Sequence, residues 1–494
     1  LEVIKERYQD YLRDESNNKS EAVRAIYFPG DYREISGILS KLYKEVSPFR
    51  ISGGRTGLAS GAVPEEDEVL ISLSKMKQIK KIDEAAVIVE SGVTLTELQS
   101  FVTENYHNMF FPVDPTEWSA TIGGMVSTNA SGSRTYFYGP MRNWVNWIRA
   151  ILPDGQIIEI RRGESKISDN KILFEFLEEQ KILNCRDFKK PNTKNTLGYS
   201  FQEGQDVIDL FLGSEGTLCV ISDIELRLVD KPTNTLSYLQ FFKTEDSALE
   251  FVNLVRGDSE LKILAIEYLD KNSLRFALQS KNAAATQPAQ LVKEDVSAAV
   301  FLECVYEKEE DFENIFSKIS EIIGTVSEDM DNSFAGIGDK ELRDIKIFRH
   351  AVPEQINSTI AKRKIDIPTL HKIATDMAVE NRYLKEIYFY YKQIVEDNKL
   401  EYAIFGHAGN NHFHVNILPK SEIELKLAKS IYLEIARKVV SLGGAVASEH
   451  GIGKLKRDFL QVQYQEEIIS QMKSVKLFFD PSNLLNRGIL FDEF

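Results

Sequence analysis

Three of the seven histidines crowd into one short stretch, Phe405-Gly-His-Ala-Gly-Asn-Asn-His-Phe-His-Val-Asn-Ile417. His412, His414 and Asn416 alternate with Phe413, Val415 and Ile417, so on a strand the polar side chains share one face. A four-residue turn at Ala408–Asn411 sets His407 opposite His412 and diagonal to His414. Diagonal neighbours on a two-stranded ribbon sit about 7–8 Å apart, close enough for two imidazoles to hold one ion. Downstream, Ala447-Ser-Glu-His-Gly-Ile-Gly453 places a carboxylate beside an imidazole. In extended chain Glu449 and His450 face opposite ways, so one can bind metal while the other serves a different partner. Two imidazoles and a carboxylate with an open position make a catalytic-type divalent metal site. The plainer alternative is a polar hairpin face whose histidines pair with backbone.

A second chemistry lies in three small-residue stretches. They are Ile51-Ser-Gly-Gly-Arg-Thr-Gly-Leu-Ala-Ser-Gly-Ala-Val-Pro64, Thr121-Ile-Gly-Gly-Met-Val-Ser-Thr-Asn-Ala-Ser-Gly132 running on to Tyr138-Gly139-Pro140, and Leu212-Gly-Ser-Glu-Gly-Thr-Leu218. Gly123 and Gly124 lack the Cβ that would block a large anionic ligand. Ser127, Thr128 and Asn129 supply short donors and acceptors. Backbone N–H groups in such loops bind phosphate, and three of them in one region point to an extended dinucleotide gripped from several sides. No stretch fits a Rossmann fingerprint or a Walker loop.

These residues need a scaffold, and 494 residues are too many for one core, so two or three domains are expected. With 43% hydrophobic and 27% charged residues the profile is that of a soluble globular protein. A net charge of −15 argues against nucleic acid or anionic lipid as partner, and it demands local cations at any anion site. No run approaches the ~18 apolar residues of a membrane helix, and Leu1–Ala22 has no signal-type apolar core. Cys185, Cys219 and Cys304 share no metal spacing and cannot all pair, which favours a reduced, cytoplasmic setting. Peripheral membrane contact stays open.

From Ala22 to Leu228, short β-type runs alternate with helices. Strands are expected at Val23–Phe28, Phe49–Ser52, Val69–Leu73 and Val87–Glu90, with a helix over Asp31–Val46 started by Asp31. Thr94-Leu-Thr-Glu97 is a capping box, and Pro153-Asp154-Gly155 marks a hairpin turn between Trp147–Leu152 and Gln156–Ile160. Asn170–Ile182 is amphipathic and predicts a helix. After Asp230-Lys231-Pro232, strands at Leu236–Lys243, Lys262–Leu269 and Ala298–Tyr306 and helices at Thr244–Val255 and Asp311–Ile323 predict a ferredoxin-like sheet with helices on one face. Ser280–Asp295 reads as a solvated loop, Tyr383–Asp397 and Glu422–Leu442 as helices, and Tyr402–His407 with His412–Leu418 as a hairpin.

The glycine stretches and the histidine motif together resemble FAD-linked oxidases of the vanillyl-alcohol oxidase superfamily, in the branch of D-lactate, glycolate and D-2-hydroxyglutarate dehydrogenases. The likeness runs from Tyr11-Leu-Arg-Asp-Glu-Ser16 to Asp480-Pro-Ser-Asn-Leu-Leu-Asn486, with the motifs in the family's order. It implies an α+β fold. An N-terminal helix over 1–21 would precede a two-subdomain FAD-binding domain over 22–230. A ferredoxin-like antiparallel-sheet cap domain over 231–444 would take the substrate, and a segment over 445–494 would return to complete the FAD domain and active site. The resemblance places cofactor contacts on Ser52, Gly53, Gly54, Arg55, Thr56 and Gly57, on Pro115, and on Thr121, Ile122, Gly123, Gly124, Ser127, Thr128, Asn129, Gly132 and Gly139. Glu215, Gly216, Ile221 and Asn486 complete that set.

The same resemblance implies His407, His414 and Glu449 as ligands of zinc or manganese, His450 as catalytic base and Asn416 as a polar substrate contact. Ile347-Phe-Arg-His-Ala-Val-Pro-Glu354 looks like the segment whose arginine grips a carboxylate, hence Arg349. Lys372-Ile-Ala-Thr-Asp-Met-Ala-Val379 looks like the segment with a lysine contact, hence Lys372, although that lysine stands further ahead of Asp376 than the family's. Departures are His412 for the family's asparagine, Asn410 and Asn411 for its Asp and Gly, Arg55 for a glycine and Glu380 for a proline. Geometry alone admits His412 as a ligand. The implied activity is oxidation of a small 2-hydroxy acid to the 2-oxo acid. FAD should be dissociable, because neither His nor Cys occurs in the first two glycine stretches. Electrons would leave to a separate acceptor such as an electron-transfer flavoprotein, an iron–sulfur protein or a quinone, and a homodimer is compatible with this. The alternatives are a non-redox enzyme of alkylglycerone-phosphate synthase type and a catalytically silent flavoprotein subunit of an oxidase complex.

Overall fold

A computed structural model describes residues 8–175, 180–326 and 330–492. The first unit is a parallel three-stranded sheet of Ala25–Tyr27, Val69–Ser72 and Phe49–Ser52, in that spatial order. Helix Tyr32–Lys44 covers it, capped by Asp31, whose carboxylate accepts the N–H groups of Arg33 and Glu34. Its Ile35, Leu39 and Leu42 bury one stripe against Phe49, Val69 and Ile71. The edge of this sheet is finished from far away: Phe49 N donates to Leu484 O and Ile51 N to Asn486 Oδ1, each at 2.9 Å.

Beside it stands an antiparallel five-stranded sheet, ordered Ile79–Lys81, Ala86–Glu90, Val220–Arg227, Val145–Ile151 and Ile157–Arg161. The capping box is present, with Thr94 and Glu97 bonded reciprocally at the start of helix Leu95–Asn105. The expected turn at Pro153-Asp154-Gly155 joins its last two strands, and Gly155 has φ +93° with no room for a Cβ against Ser36 and Ser40.

The third unit is an eight-stranded antiparallel sheet. Its first part runs Ser333–Gly336, Asn234–Phe242, Ala298–Tyr306, Ile263–Asp270, the fourth-first-third-second order of a ferredoxin-like fold. Tyr402–His407, His412–Ile417 and the short edge strands Ile373–Ala374 and Met377–Ala378 extend it. Helices cover both faces, not one as the pattern had implied. Tyr238 and Phe242 pack on helices Glu309–Thr325 and Glu245–Gly257, while Leu239 and Phe241 turn to helices Lys271–Gln279 and Asp339–Asp366. The reason lies in the strands: every residue of Ile263–Asp270 is buried, the near-continuous apolar run of a strand covered on both sides.

Three further expectations are corrected. Within Asn170–Ile182 the chain forms a strand, Lys171–Glu175, paired with Gln180–Asn184, and 176–179 lie outside the described residues. Ile172, Phe174 and Leu183 are buried while Leu173 and Ile182 are exposed, a period of two. Packing of Phe174 on Phe211 and Phe479 decides against the helix. Ser280–Asp295 carries two short helices, Lys281–Ala284 and Gln287–Gln290, whose small Ala283 and Ala289 bury against the long helix Asp339–Asp366. Of the N-terminal helix expected over 1–21, residues 1–7 lie outside the described residues, and 8–21 hold a 3-10 turn at Tyr8–Tyr11 and an isolated bridge between Arg13 and Lys19. Among the described residues no helix is long and apolar enough to cross a membrane.

Arg50 and Glu68 pin the first sheet from inside. Both side chains are fully buried, and two guanidinium nitrogens meet the two carboxylate oxygens at 2.9 Å. Arg50→Met leaves the buried Glu68 carboxylate with only Glu65 N at 2.9 Å and Arg487 Nε at 3.8 Å. The substitution should cost about 3 kcal/mol of unfolding free energy in urea titrations, while Arg50→Met with Glu68→Leu recovers most of it.

Candidate active site

The glycine-rich run at 121–132 is not a loop throughout: Ile122–Thr128 is a helix that follows Thr121. The hydroxyls of Ser127 and Thr128 donate back to the carbonyls of Gly123 and Gly124, at 2.8 and 3.0 Å. Asn129 ends the helix at φ +50° and accepts Arg142 N at 3.0 Å. These donors and acceptors therefore serve the local backbone first. Several glycines likewise answer to protein neighbours. A Cβ on Gly53 would meet Thr121 Oγ1 at 2.5 Å, and one on Gly123 would meet Ser91 Cβ at 2.5 Å.

Between these closely nested segments lies a cavity of about 350 Å³. Of the expected cofactor contacts, Gly53 to Gly57, Pro115, Thr121, Gly123, Gly124, Ser127, Thr128, Gly132, Glu215, Gly216, Ile221 and Asn486 line it. Ser52, Ile122, Asn129 and Gly139 do not. Ser52 and Ile122 are fully buried in strand and core, Asn129 is a helix cap, and Gly139 turns at φ +76° against Asn143. The guanidinium of Arg55 lies 4.4 Å from the ring centroid of Tyr11, and its residue adopts φ +59°. The cavity walls combine glycine-bearing backbone and small side chains with the apolar Ile51, Leu58, Leu73, Met125 and Val220 and with Arg55. The glycine-bearing part suits the phosphates of an elongated ligand.

Glu215 looks away from such a ligand: its carboxylate accepts Ile452 N at 2.8 Å and Gly453 N at 2.7 Å, joining the third glycine stretch to the C-terminal segment. Burial pushes its carboxyl up from 4.5 to about 7 despite those two N–H donors. Between these values the native state keeps a proton that the unfolded chain has released. The group's contribution to stability is therefore full below pH 4.5 and lost as pH rises through 7. Unfolding free energies measured from pH 4.5 to 7.5 should fall less steeply for Glu215→Gln than for the natural chain.

At one end of the cavity stand His407, Glu449 and His450. The hairpin sets His407 opposite His412, as its turn length implied, and His414 opposite Phe405. Ring centroids are 5.5 Å apart for His407–His412, 5.7 Å for His407–His414 and 4.4 Å for His412–His414. His407 Nδ1 meets Glu267 Oε1 at 2.6 Å while Nε2 lies 3.2 Å from Glu449 Oε1. His414 Nδ1 faces Thr375 O at 3.0 Å, and its Nε2 lies 3.9 Å from Glu449 Oε2. One donor atom from each of His407, His412, His414 and Glu449 falls within 4.8 Å of all the others. Such a set of imidazoles and a carboxylate suits a divalent transition metal.

Charge is heavily worked here. Burial alone would lower the His407 pKa, but Glu267 and Glu449 outweigh it and raise it to about 9. Burial would raise Glu267, yet His407 and Arg349 hold it at about 2. Burial, aided by the neighbouring His412, drives His414 well down. Glu449 stays ionised against burial because His407 and Lys194 flank it.

Three residues of this network, Lys194, Glu267 and Asp376, carry no local signal. Lys194, almost fully buried, pairs with Glu449 from 255 residues away. Glu267 reaches His407 from the adjacent strand. Asp376, fully buried, accepts Glu449 N and His450 N at 3.0 Å and Lys456 Nζ at 2.7 Å, and it lies 3.6 Å from His450 Nδ1. Those two N–H bonds to one carboxylate bend the chain at 448–450, so the extended geometry expected there is not adopted and both Glu449 and His450 line the same cavity. Arg349 sits on helix Asp339–Asp366, with Nη2 3.2 Å from Glu267 Oε2 and its guanidinium 4.3 Å from the Phe301 ring centroid. Asn416 shares the histidine face and turns its amide to His414 O. Lys372 precedes edge strand Ile373–Ala374, where Ala374 pairs with Asn416, and burial lowers its pKa. Arg349, Lys372, His414 and Asn416 stand outside the cavity lining itself.

A cavity nested among glycine-bearing segments, with an antiparallel sheet bringing imidazoles and carboxylates to one end, is the architecture of an oxidoreductase that keeps a dinucleotide. Residues 23–161 match the FAD binding domain and residues 231–490 match the C-terminal domain of FAD linked oxidases; the chain belongs to the FAD-linked oxidases and binds FAD. It is 28% identical to a D-lactate dehydrogenase of Archaeoglobus fulgidus over 93% of this chain and 89% of that one. It is 27% identical to a D-2-hydroxyglutarate dehydrogenase of Stutzerimonas stutzeri, over 97% and 94%. The fold also resembles that of p-cresol methylhydroxylase with substrate bound, at a TM-score of 0.66 and 14% identity over 94% of this chain and 89% of that chain.

Proposed function

We propose that this FAD-linked oxidase converts a small 2-hydroxy acid to the 2-oxo acid with the help of a divalent ion, zinc or manganese. The observation that carries the reading is that His407, Glu449 and His450 border the same cavity as the glycine-bearing segments. The names of the two dehydrogenase relatives support the substrate class. Bound FAD supplies the acceptor for the hydrogen and electron pair that leave the substrate Cα. A divalent ion held by His407, His414 and Glu449 supplies Lewis acidity toward the substrate hydroxyl.

The chain's own side chains do the rest. Arg349 offers a forked guanidinium to the substrate carboxylate and Lys372 a point charge, which orients the Cα–H bond, and Asn416 adds a polar contact. His450 takes the hydroxyl proton at Nε2, because Nδ1 looks to Asp376. Burial, with Asp376 opposing it, leaves the His450 pKa below its ordinary value, so the imidazole is neutral and able to accept a proton near pH 7. Reoxidation falls to a separate acceptor, an electron-transfer flavoprotein, an iron–sulfur protein or a quinone.

An anaerobic screen of D- and L-lactate, glycolate, malate and 2-hydroxyglutarate, read at the flavin's visible absorbance, should bleach the protein with at least one of them; no bleaching by any would overturn the reading. His450→Asn should keep FAD while reduction slows by about 10²–10⁴-fold. Dialysis against a chelator should slow reduction, and added Zn²⁺ or Mn²⁺ should restore it.

A further inference from the structure

His412 is left over from the ligand set just described, and it is the least accommodated side chain of the cluster. Its imidazole is fully buried, and neither ring nitrogen has an aligned hydrogen-bond partner. Nε2 lies 3.2 Å from Asp376 Oδ1, close to it without the alignment of a hydrogen bond. A desolvated imidazole nitrogen without a partner is unfavourable and needs an explanation. Yet a donor atom of this same ring falls within 4.8 Å of the donor atoms of His407, His414 and Glu449.

Its two neighbours show what the position is built for. His407 has one nitrogen on an acceptor outside the cluster, Glu267, and turns the other toward Glu449. His414 has one nitrogen on the Thr375 carbonyl and turns the other toward Glu449. A histidine that binds metal presents this arrangement, with the second nitrogen held by a carboxylate or carbonyl behind it. His412 comes near it, with Asp376 Oδ1 lying 3.2 Å behind Nε2, which leaves Nδ1 for the ion.

We propose that His412 is a fourth protein ligand, so that the ion is held by three imidazoles and one carboxylate, a deepening that rests on the metal reading above. Four protein ligands close a tetrahedral site. An ion with room for substrate must then accept five or six ligands here.

The test uses the FAD-loaded protein, His412→Asn and His407→Asn, with the flavin spectrum as the check on folding. Zn²⁺ and Mn²⁺ affinities come from competition with a chelator, and X-ray absorption of the zinc form counts imidazoles around the ion. The proposal expects three imidazoles in the natural protein, two in His412→Asn, and binding weaker by about 100-fold or more in that variant. Two imidazoles in the natural protein, or His412→Asn affinity within about threefold of it while His407→Asn loses the ion, would overturn the fourth ligand and leave the metal reading standing. Failure of the natural protein to bind either ion would overturn both. Should His412→Asn lose its flavin, the imidazole count on the natural protein decides alone.

Discussion

One buried carboxylate sets the geometry on which the rest depends. Asp376 lies at the edge of the large sheet, out of contact with water, and must be surrounded by donors to remain ionised there. It finds them in the backbone N–H groups of Glu449 and His450 and in the ammonium of Lys456. Those donors all belong to the returning C-terminal segment, so satisfying the charge and positioning Glu449 and His450 are one event. The surrounding backbone reinforces it: Ala378 and Ala445 exchange hydrogen bonds at 3.1 and 2.8 Å, and Ser448 N donates to Asp376 O at 3.0 Å.

From there charges alternate through the site. Arg349, Glu267, His407, Glu449 and Lys194 follow one another, each in contact with the next. Alternation is what lets so many ionisable groups sit away from solvent, since each inner member of the series has a neighbour on two sides. A chain with a net charge of −15 thereby concentrates cations around the place where an anionic substrate would bind.

How much of this was legible in the sequence follows from the range of each interaction. Alternation of His412, His414 and Asn416 with apolar residues depends only on strand geometry, and the hairpin has the register its four-residue turn implied. The capping box at Thr94 is equally local. Lys194 and Asp376 act across long separations and no spacing announces them. Helix Asp339–Asp366, which carries Arg349, hides behind a proline at 353 and a weakly amphipathic pattern. At Lys171–Asn184 the apolar residues fit helix and strand alike, and only Phe211 and Phe479, distant in sequence, choose between them. Ser127 and Thr128 showed their chemistry without its direction, because whether a hydroxyl faces a ligand or its own helix depends on a backbone path that composition does not reveal.

The segment that borders the cavity also completes the first sheet. Leu484 and Asn486 bond to the strand Phe49–Ser52, and Asp376 waits for partners at 449, 450 and 456. During synthesis, then, residues 1–448 leave the ribosome before either closure can form. A nascent chain lacking that segment holds an unneutralised interior carboxylate and an unfinished sheet edge, which makes it a client for chaperones and leaves it without a competent centre. A chain cut before residue 449 therefore lacks both the partners of that carboxylate and the finish of that strand.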